Sequence, residues 1–550
     1  MRIGILILLT LALGCNQTPK APDTVITPWV PYDESSELEA NAEHESVKMQ
    51  YKLIQSKVSD KNKLWKNISD QIAYFSEEKY QELLPLVLDQ DIPTIQSHVK
   101  SGKLTYEQLA QWYLYRITKY ENDPKTYLNC IISINPNVVD EAKKKDLNRS
   151  ENDHPLYGIP VLLKDNINFK GLPTTAGTVF LKDNDADDAF ITKQIKQKGG
   201  IILGKTNLSE WANYLCIDCP NGWSAVGGQT LNPYGRMKFD TGGSSSGSGS
   251  AIAANYASVA VGTETSGSIL SPSSTHSLVG LKPTTGLLSR GGIVPLSSTL
   301  DTPGPMTKNI IDNAIFVSAL VGKDSADPIT KQSPENKTYW EDLKSGSLEG
   351  VHFGVNKRFL EDENYKENVE KIKSLGGIMI EFEPPSMDFE GFGTMLNADM
   401  SIDLPNYLDQ YGMSNLSQRS IQEIVEYNQV DSTLKVPYGQ GRFERILSDK
   451  LEFDELVQLR EKLNKNGIQF FESIMSENKL DVVLSINNFN AGHAAAAKYP
   501  CLTVSMGYKD SGEPIGLTFI AKPYEEDKLL KLGYAFEKET KMRKSPTMYR

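Results

Sequence analysis

Three short stretches of the chain carry side chains able to do covalent chemistry. The first is the apolar run "YGIPVLLKDNI", in which a lysine, Lys164, closes the run. A lysine there ordinarily reaches past a strand end to water; kept dry, its amine gives up its proton more readily and can act as a base. The second is "DTGGSSSGSGSAIAAN", Asp240 to Asn255, which holds Gly243 and Ser244. A Gly/Ser run is ordinarily a flexible linker. Here an apolar, helix-forming flank follows it, which points to a turn leading into a buried helix. The third is "GTETSGSILSP", a strand followed by a tight turn with Ser266 and Ser268; by itself it also reads as an ordinary strand-end turn. A serine hydroxyl is a weak nucleophile until a base takes its proton, and lysine can stand in for histidine as that base. The six histidines (His44, His98, His154, His276, His352 and His493) lie in no G-x-S-x-G elbow and no H-E-x-x-H helix.

These stretches need a scaffold, and the pattern around them is that of an α/β protein. "GIPVLLK", Ile201–Leu203 and Ser258–Gly262 read as short buried strands bounded by Gly, Pro and Ser. "GGIILGKTNLSEWAN" reads as strand, turn and a helix starting near Ser209. Upstream, residues 45–90 look helical, with Trp65, Ile68, Ile72 and Phe75 near the helical spacing. "LTYEQLAQWYLYRI" is a better-signed helix, with Thr105 and Gln108 as a capping box. Residues 324–479 are more charged and more helical; "GVHFGVNKRFL" and "GIMIEFEPP" read as outer strands. "LDVVLSI" and "PCLTVSMGY" with "EPIGLTFIAKP" return to sheet near the end.

The 550 residues are 39% hydrophobic and 23% charged, with net charge −12. That suits a soluble globular body and gives a nucleic-acid partner no electrostatic support. The start, "MRIGILILLTLALGCNQ", has one basic residue, a short apolar core and a small residue before Cys15. This order resembles a bacterial lipoprotein signal, in which Cys15 is lipidated. Residues 16–45 are polar and proline-bearing, the composition of a flexible tether. Export would permit disulfides. "CIDC", Cys216 to Cys219, reads as a tight disulfide, half a metal site or two free thiols. No second CxxC or HxxxH completes a zinc site.

In this order and spacing the motifs resemble the amidase signature family. The matching runs are "GIPVLLKDN", "GKTNLSEWAN", "NGWSAVGGQTLNPY", "GGSSSGSGSAIAAN", "VGTETSGSILSP", "GLKPTTGLLSRGGIVPLSSTLDTPGPM" and the terminal "YPCLTVSMGY" with "GEPIGLTFIA". Within the family, "GTET" and "DTPGP" look most like peptide amidases. The resemblance implies one large α/β domain over residues 102–550, a central mixed β-sheet covered by helices on both faces, behind a signal (1–15), a tether (16–45) and a helical region (46–101). It implies a Ser–cis-Ser–Lys triad: Ser268 as nucleophile, Ser244 as relay across a cis Gly243–Ser244 peptide, and Lys164 as base. Thr265, Ser266, Gly267 and Ser268 would form the oxyanion hole, backbone donors for the charge that develops on the carbonyl oxygen. No cofactor or metal is implied.

Two departures bear on the substrate. Many relatives have glycine where Ser266 stands. Many also carry arginine two or three residues after the nucleophile, where this chain has Leu270 and Ser271. Without that cation, small anionic amides are disfavoured and longer, less charged ones fit, such as peptide C-terminal amides. Aryl or acyl amides are the alternative. A subunit modifying misacylated transfer RNA is disfavoured by the export signal and the charge. The expected setting is the bacterial envelope or periplasm, with a lipid anchor on Cys15 and a small-molecule or peptide amide as partner.

Overall fold

The computed structural model describes residues 22–414 and 416–550; Cys15 and the signal lie outside them. The strands in chain order are β1 (Ile131–Ile134), β2 (Pro160–Lys164), β3 (Ile201–Thr206), β4 (Trp223–Ser224), β5 (Gly228–Gln229), β6 (Val259–Glu264), β7 (Val279–Lys282), β8 (Thr302–Thr307), β9 (His352–Asn356), β10 (Ile378–Phe382), β11 (Val482–Ile486), β12 (Cys501–Tyr508) and β13 (Pro514–Ile520). Among the described residues, eleven of them form one sheet in the order β1-β3-β2-β6-β8-β7-β12-β13-β11-β9-β10, and β4 and β5 form a small hairpin. The pairs β3–β2–β6 and β11–β9–β10 run parallel and the others antiparallel, so the sheet is mixed, as expected.

The apolar runs become strands because both faces of the sheet are covered. Every residue of β2, β3 and β6 is buried, which the apolar runs Val161–Leu163, Ile201–Leu203 and Val259–Val261 allow and a strict apolar/polar alternation would not. The edge strand β10 is partly exposed. Helix Ser246–Ala253, grown from the Gly/Ser run, is buried at all eight positions. Its small residues are what let it lie so close: a Cβ on Gly247 would stand 2.4 Å from Asn207 O. Helix Tyr106–Glu121 has the Thr105–Gln108 capping box read from the sequence.

Several expectations need correction. Residues 45–90 hold two α-helices, Asn62–Ile72 and Glu77–Val87; Trp65, Ile68 and Ile72 lie on the first, but Phe75 falls in the turn between them. The described part of the tether, from residue 22, is packed onto the body. Trp29 is buried against Tyr127, and the Glu34 carboxylate accepts the N–H groups of Ile54 and Gln55. A few anchoring side chains outweigh a polar, proline-bearing composition there. Beyond Ser209 there is one irregular turn: Trp211, Ala212 and Asn213 are all left-handed, with φ of 50°, 56° and 71°. Of the three readings of "CIDC", the disulfide is the one found: Cys216 and Cys219 are bonded to each other.

Between β10 and β11 the chain inserts helices Phe392–Tyr411, Ile421–Gln429, Gly441–Ser448 and Phe453–Glu477. Met400, Leu404, Ile424 and Phe443 pack there against Phe180, Trp211 and Tyr214, covering the loop that follows β3. Arg442 fastens the disulfide loop to this insertion, its N–H donating to Leu215 O and its Nε to Cys216 O. At the other end, Arg116 lies fully buried and donates to Ala254 O, Tyr80 Oη and Tyr549 O, tying the C-terminus to the N-terminal helices.

Beside the end of β2, Lys205 Nζ and Asp165 Oδ1 are 3.0 Å apart, both with no exposure. Burial pushes the Asp165 carboxyl up and the Lys205 amine down, and their mutual attraction opposes both shifts. Removing one partner of such a pair strands the other charge in the core, at about 3–5 kcal/mol. Lys205→Met should therefore lower the unfolding free energy by about that much, and adding Asp165→Asn should restore part of it. Urea titration of the two variants checks this; a loss below about 1 kcal/mol for the single variant would contradict a fully desolvated pair.

Candidate active site

β2 is apolar until its last residue, and that residue is Lys164, with no exposed surface. Its Nζ lies 2.8 Å from Ser244 Oγ, 2.9 Å from Thr263 Oγ1 and 3.2 Å from Thr263 O. All three neighbours are neutral. Burial draws the amine's pKa down to about 7, while the charges of Asp301 and Glu264 pull the other way. An amine so placed loses its proton near neutrality, where an ordinary lysine is fully charged.

The serines come from two other segments. The Gly243–Ser244 peptide is cis. Ser244 is fully buried, and its carbonyl accepts the Ser209 N–H at 3.1 Å. The next residue joins the remaining parts: Ser245 N donates to Ser268 O at 3.2 Å, and Ser245 Oγ donates to Thr263 O at 3.2 Å. The Gly/Ser run is thus stitched both to β6 and to the turn that follows it.

That turn, Thr265–Ser268, leads into helix Leu270–Thr275. The buried Glu264 carboxylate accepts the N–H groups of Ile269 (2.7 Å) and Leu270 (2.9 Å), which bends the chain back on itself. Gly267 has φ +91°, and a Cβ there would stand 2.8 Å from Asn488 Nδ2, so only glycine fits. Among the described residues, the backbone N–H groups of Thr265, Ser266, Gly267 and Ser268 make no hydrogen bond. A row of unpaired backbone donors suits a negatively charged oxygen. Ser268 is 8% exposed, enough to be touched from outside.

Sequence reasoning named Lys164, Ser244 and the Thr265–Ser268 turn, and the fold gathers them at the ends of β2 and β6. It did not single out Thr263, which takes two of the lysine's contacts, or Asn166, whose Nδ2 donates to Thr263 Oγ1 at 2.9 Å. Asn166 sits two residues past Lys164 in "LLKDN", which was the available signal. Of the two departures from the family pattern, Ser266 is exposed, while Leu270 is buried in a cluster with Phe470, Phe471 and Ile474. His276, the most buried histidine, donates to or accepts from neighbours within the core, and burial holds it down at about 4.

A cavity of about 280 Å³ opens beside this cluster. Lys164, Ser244 and Ser268 are not among its lining residues; it adjoins them through Asn166, Thr263 and Thr265. One wall is the loop of Arg290 to Asp301, and the opposite wall is helix Phe392–Tyr411 of the insertion, through Asp403, Asn406, Tyr407, Gln410 and Tyr411. The charged, helical stretch 324–479 thus contributes a wall of the cavity through that helix.

Comparison with known proteins agrees with this architecture. Residues 109–491 match the family model described as Amidase. A probable amidase of Arabidopsis thaliana is 33% identical over 474 residues, covering 81% of this chain and 88% of that one. Among solved structures, an amidase family protein from Bacillus anthracis superposes with TM-score 0.86 at 36% identity, over 90% of this chain and 100% of that one. The peptide amidase of Stenotrophomonas maltophilia superposes with TM-score 0.78 at 33% identity, over 84% and 98%. With its sheet, its motifs and these relatives in accord, the chain belongs to the amidase signature family and is a hydrolase of amide bonds.

Proposed function

We propose that this amidase works through Ser268, Ser244 and Lys164 and acts on peptide C-terminal amides or similar carboxamides that carry no carboxylate at the reacting end. The observation that carries the reading is the dry amine of Lys164, held 2.8 Å from Ser244 Oγ with a pKa near 7. Ser268 Oγ attacks the amide carbon as its proton passes by way of Ser244 to neutral Lys164. The carbonyl oxygen takes up negative charge against the unpaired N–H groups of the Thr265–Ser268 turn. The same relay returns the proton to the nitrogen, the C–N bond breaks, and ammonia or an amine departs. Water then enters, loses a proton to the relay and splits the acyl–serine ester, freeing the acid and Ser268.

The likeness to a peptide amidase supports the substrate class. So does the turn's chemistry: Leu270 is buried and Ser271 is neutral, so neither presents a cation to an anionic acyl group. Export with a lipid anchor on Cys15 belongs to the same proposal, supported by the apolar start of the chain and by the Cys216–Cys219 disulfide.

Two measurements test it. Ser268→Ala should lower hydrolysis of an N-acylated amino-acid amide by roughly 10⁴-fold, followed as ammonia release; retained turnover would remove Ser268 as nucleophile. The pH dependence follows from Lys164. Its protonated form cannot accept a proton, so kcat/KM should climb about tenfold per pH unit below about 7 and level off above it. Lys164→Met should lower activity by about 10²–10⁴-fold and abolish that rise. A profile that is flat or falls with pH in the unmodified enzyme would exclude a lysine base.

A further inference from the structure

The cavity beside the site is unevenly charged. Asp301, Asp327 and Asp403 line it, against one cation, Arg290. Arg290 is already committed: its Nε (3.0 Å) and Nη2 (2.5 Å) donate to Asp327, and its Nη1 donates to Ser298 O. Asp301 is occupied by neutral donors, the Thr265 hydroxyl at 2.5 Å and the N–H groups of Leu296 and Ser297. Asp403 accepts the Ser298 N–H at 2.6 Å through Oδ2. Among the described residues, no lysine, arginine or histidine pairs with Asp301 or Asp403. Burial, with the neighbouring charges of Asp399 and Asp301, raises the Asp403 carboxyl to about 6.

Two independent features of the same walls ask for a donor. Asn166 is 3% exposed and lines the cavity, and its Oδ1 has no hydrogen-bond partner. Tyr407 and Tyr411 line it with stacked rings, centroids 5.4 Å apart. Aromatic faces beside a carboxylate attract a cation and offer nothing to an anion.

We infer that this cavity receives the positively charged end of an amide substrate, an alkylammonium or guanidinium group, with Asp403 as its anionic partner. The inference rests on the amidase reading above and deepens it. The amide end of the substrate is neutral, and the far end of its acyl part carries the cation. Thr265 belongs both to the cavity and to the turn that holds Ser268, so one molecule can occupy the two places together.

The test uses three N-acetylated amino-acid amides, those of lysine, norleucine and glutamate, which differ mainly in side-chain charge. The full-length enzyme should show kcat/KM for the lysine amide at least about tenfold above that for norleucine, and the glutamate amide should be the poorest. Asp403→Asn keeps an acceptor for the Ser298 N–H and removes only charge. It should collapse the lysine-to-norleucine ratio by about tenfold, through KM rather than kcat. A ratio near one in the unmodified enzyme, or a ratio unchanged in Asp403→Asn, overturns the inference and leaves the amidase reading standing. Binding to Ser268→Ala needs no turnover. If the enzyme hydrolyses none of the amides while calorimetry on Ser268→Ala shows the lysine amide bound more tightly than norleucine's, the reaction reading fails and the cavity's preference stands. Equal binding of the two overturns the preference.

Discussion

An amine kept dry with no anion touching it is the constraint from which the rest of this site follows. Two lysines sit fully buried at the ends of neighbouring strands. Lys205 has a carboxylate, Asp165, at 3.0 Å. Lys164 has only hydroxyls and a carbonyl. The first arrangement holds structure together; the second leaves an amine whose charge is poorly compensated and whose proton is easily given up. To keep it so, β2 must lie inside the sheet, β6 must bring Thr263 to the amine, and the Gly/Ser run must place Ser244 where water would otherwise stand. The buried helix Ser246–Ala253 serves that last need, because its small residues let the run sink against the strands.

Much of this was legible in the sequence because chemistry and scaffold share short segments. Lys164 announced itself as a charge at the end of an apolar run, and the flank "AIAAN" separated a buried helix from a linker. What escaped was whatever arises only when distant segments meet. Thr263 is one more β-branched residue in a strand until the amine is set beside it. Asp301 and Asp403 look like ordinary solvated carboxylates, more than a hundred positions apart in the chain, until one loop and one helix face each other. The left-handed run Trp211–Asn213 contains no glycine to betray it. Residues 22–45 depart from a tether for a related reason: composition averages over a segment, whereas Trp29 and Glu34 fasten it through two side chains.

Sheet and insertion divide the site between them. Lys164, Ser244 and the Thr265–Ser268 turn hang from strand ends whose positions are set by backbone ladders on both sides. The far wall of the cavity comes from a helix of the insertion, which meets Trp211 and Tyr214 through an apolar cluster and the hydrogen bonds of Tyr214 Oη to Gly393 O and Asn397 Oδ1, with no strand ladder between them. Side-chain packing tolerates substitution more readily than a strand ladder does. Arg442 and the disulfide loop add a polar fastening between the insertion and the residues beside the active site.

The order of the strands also sets an order of assembly. β1, β3, β2, β6, β8 and β7 are complete once residue 307 has been made, and the chain up to that point includes every residue of the amine-and-serine cluster, in these strands or in the segments between them. The next strand in the sheet is β12, and it arrives only with Cys501. Throughout the intervening synthesis β7 is a bare sheet edge, with a row of backbone donors and acceptors open to any other extended chain. The chain made up to residue 307 holds the residues of the cluster, but neither the insertion helix that walls the cavity nor Phe470 and Phe471, against which Leu270 is buried beside the Ser268 turn. Its exposure to mispairing lasts as long as the translation of the insertion.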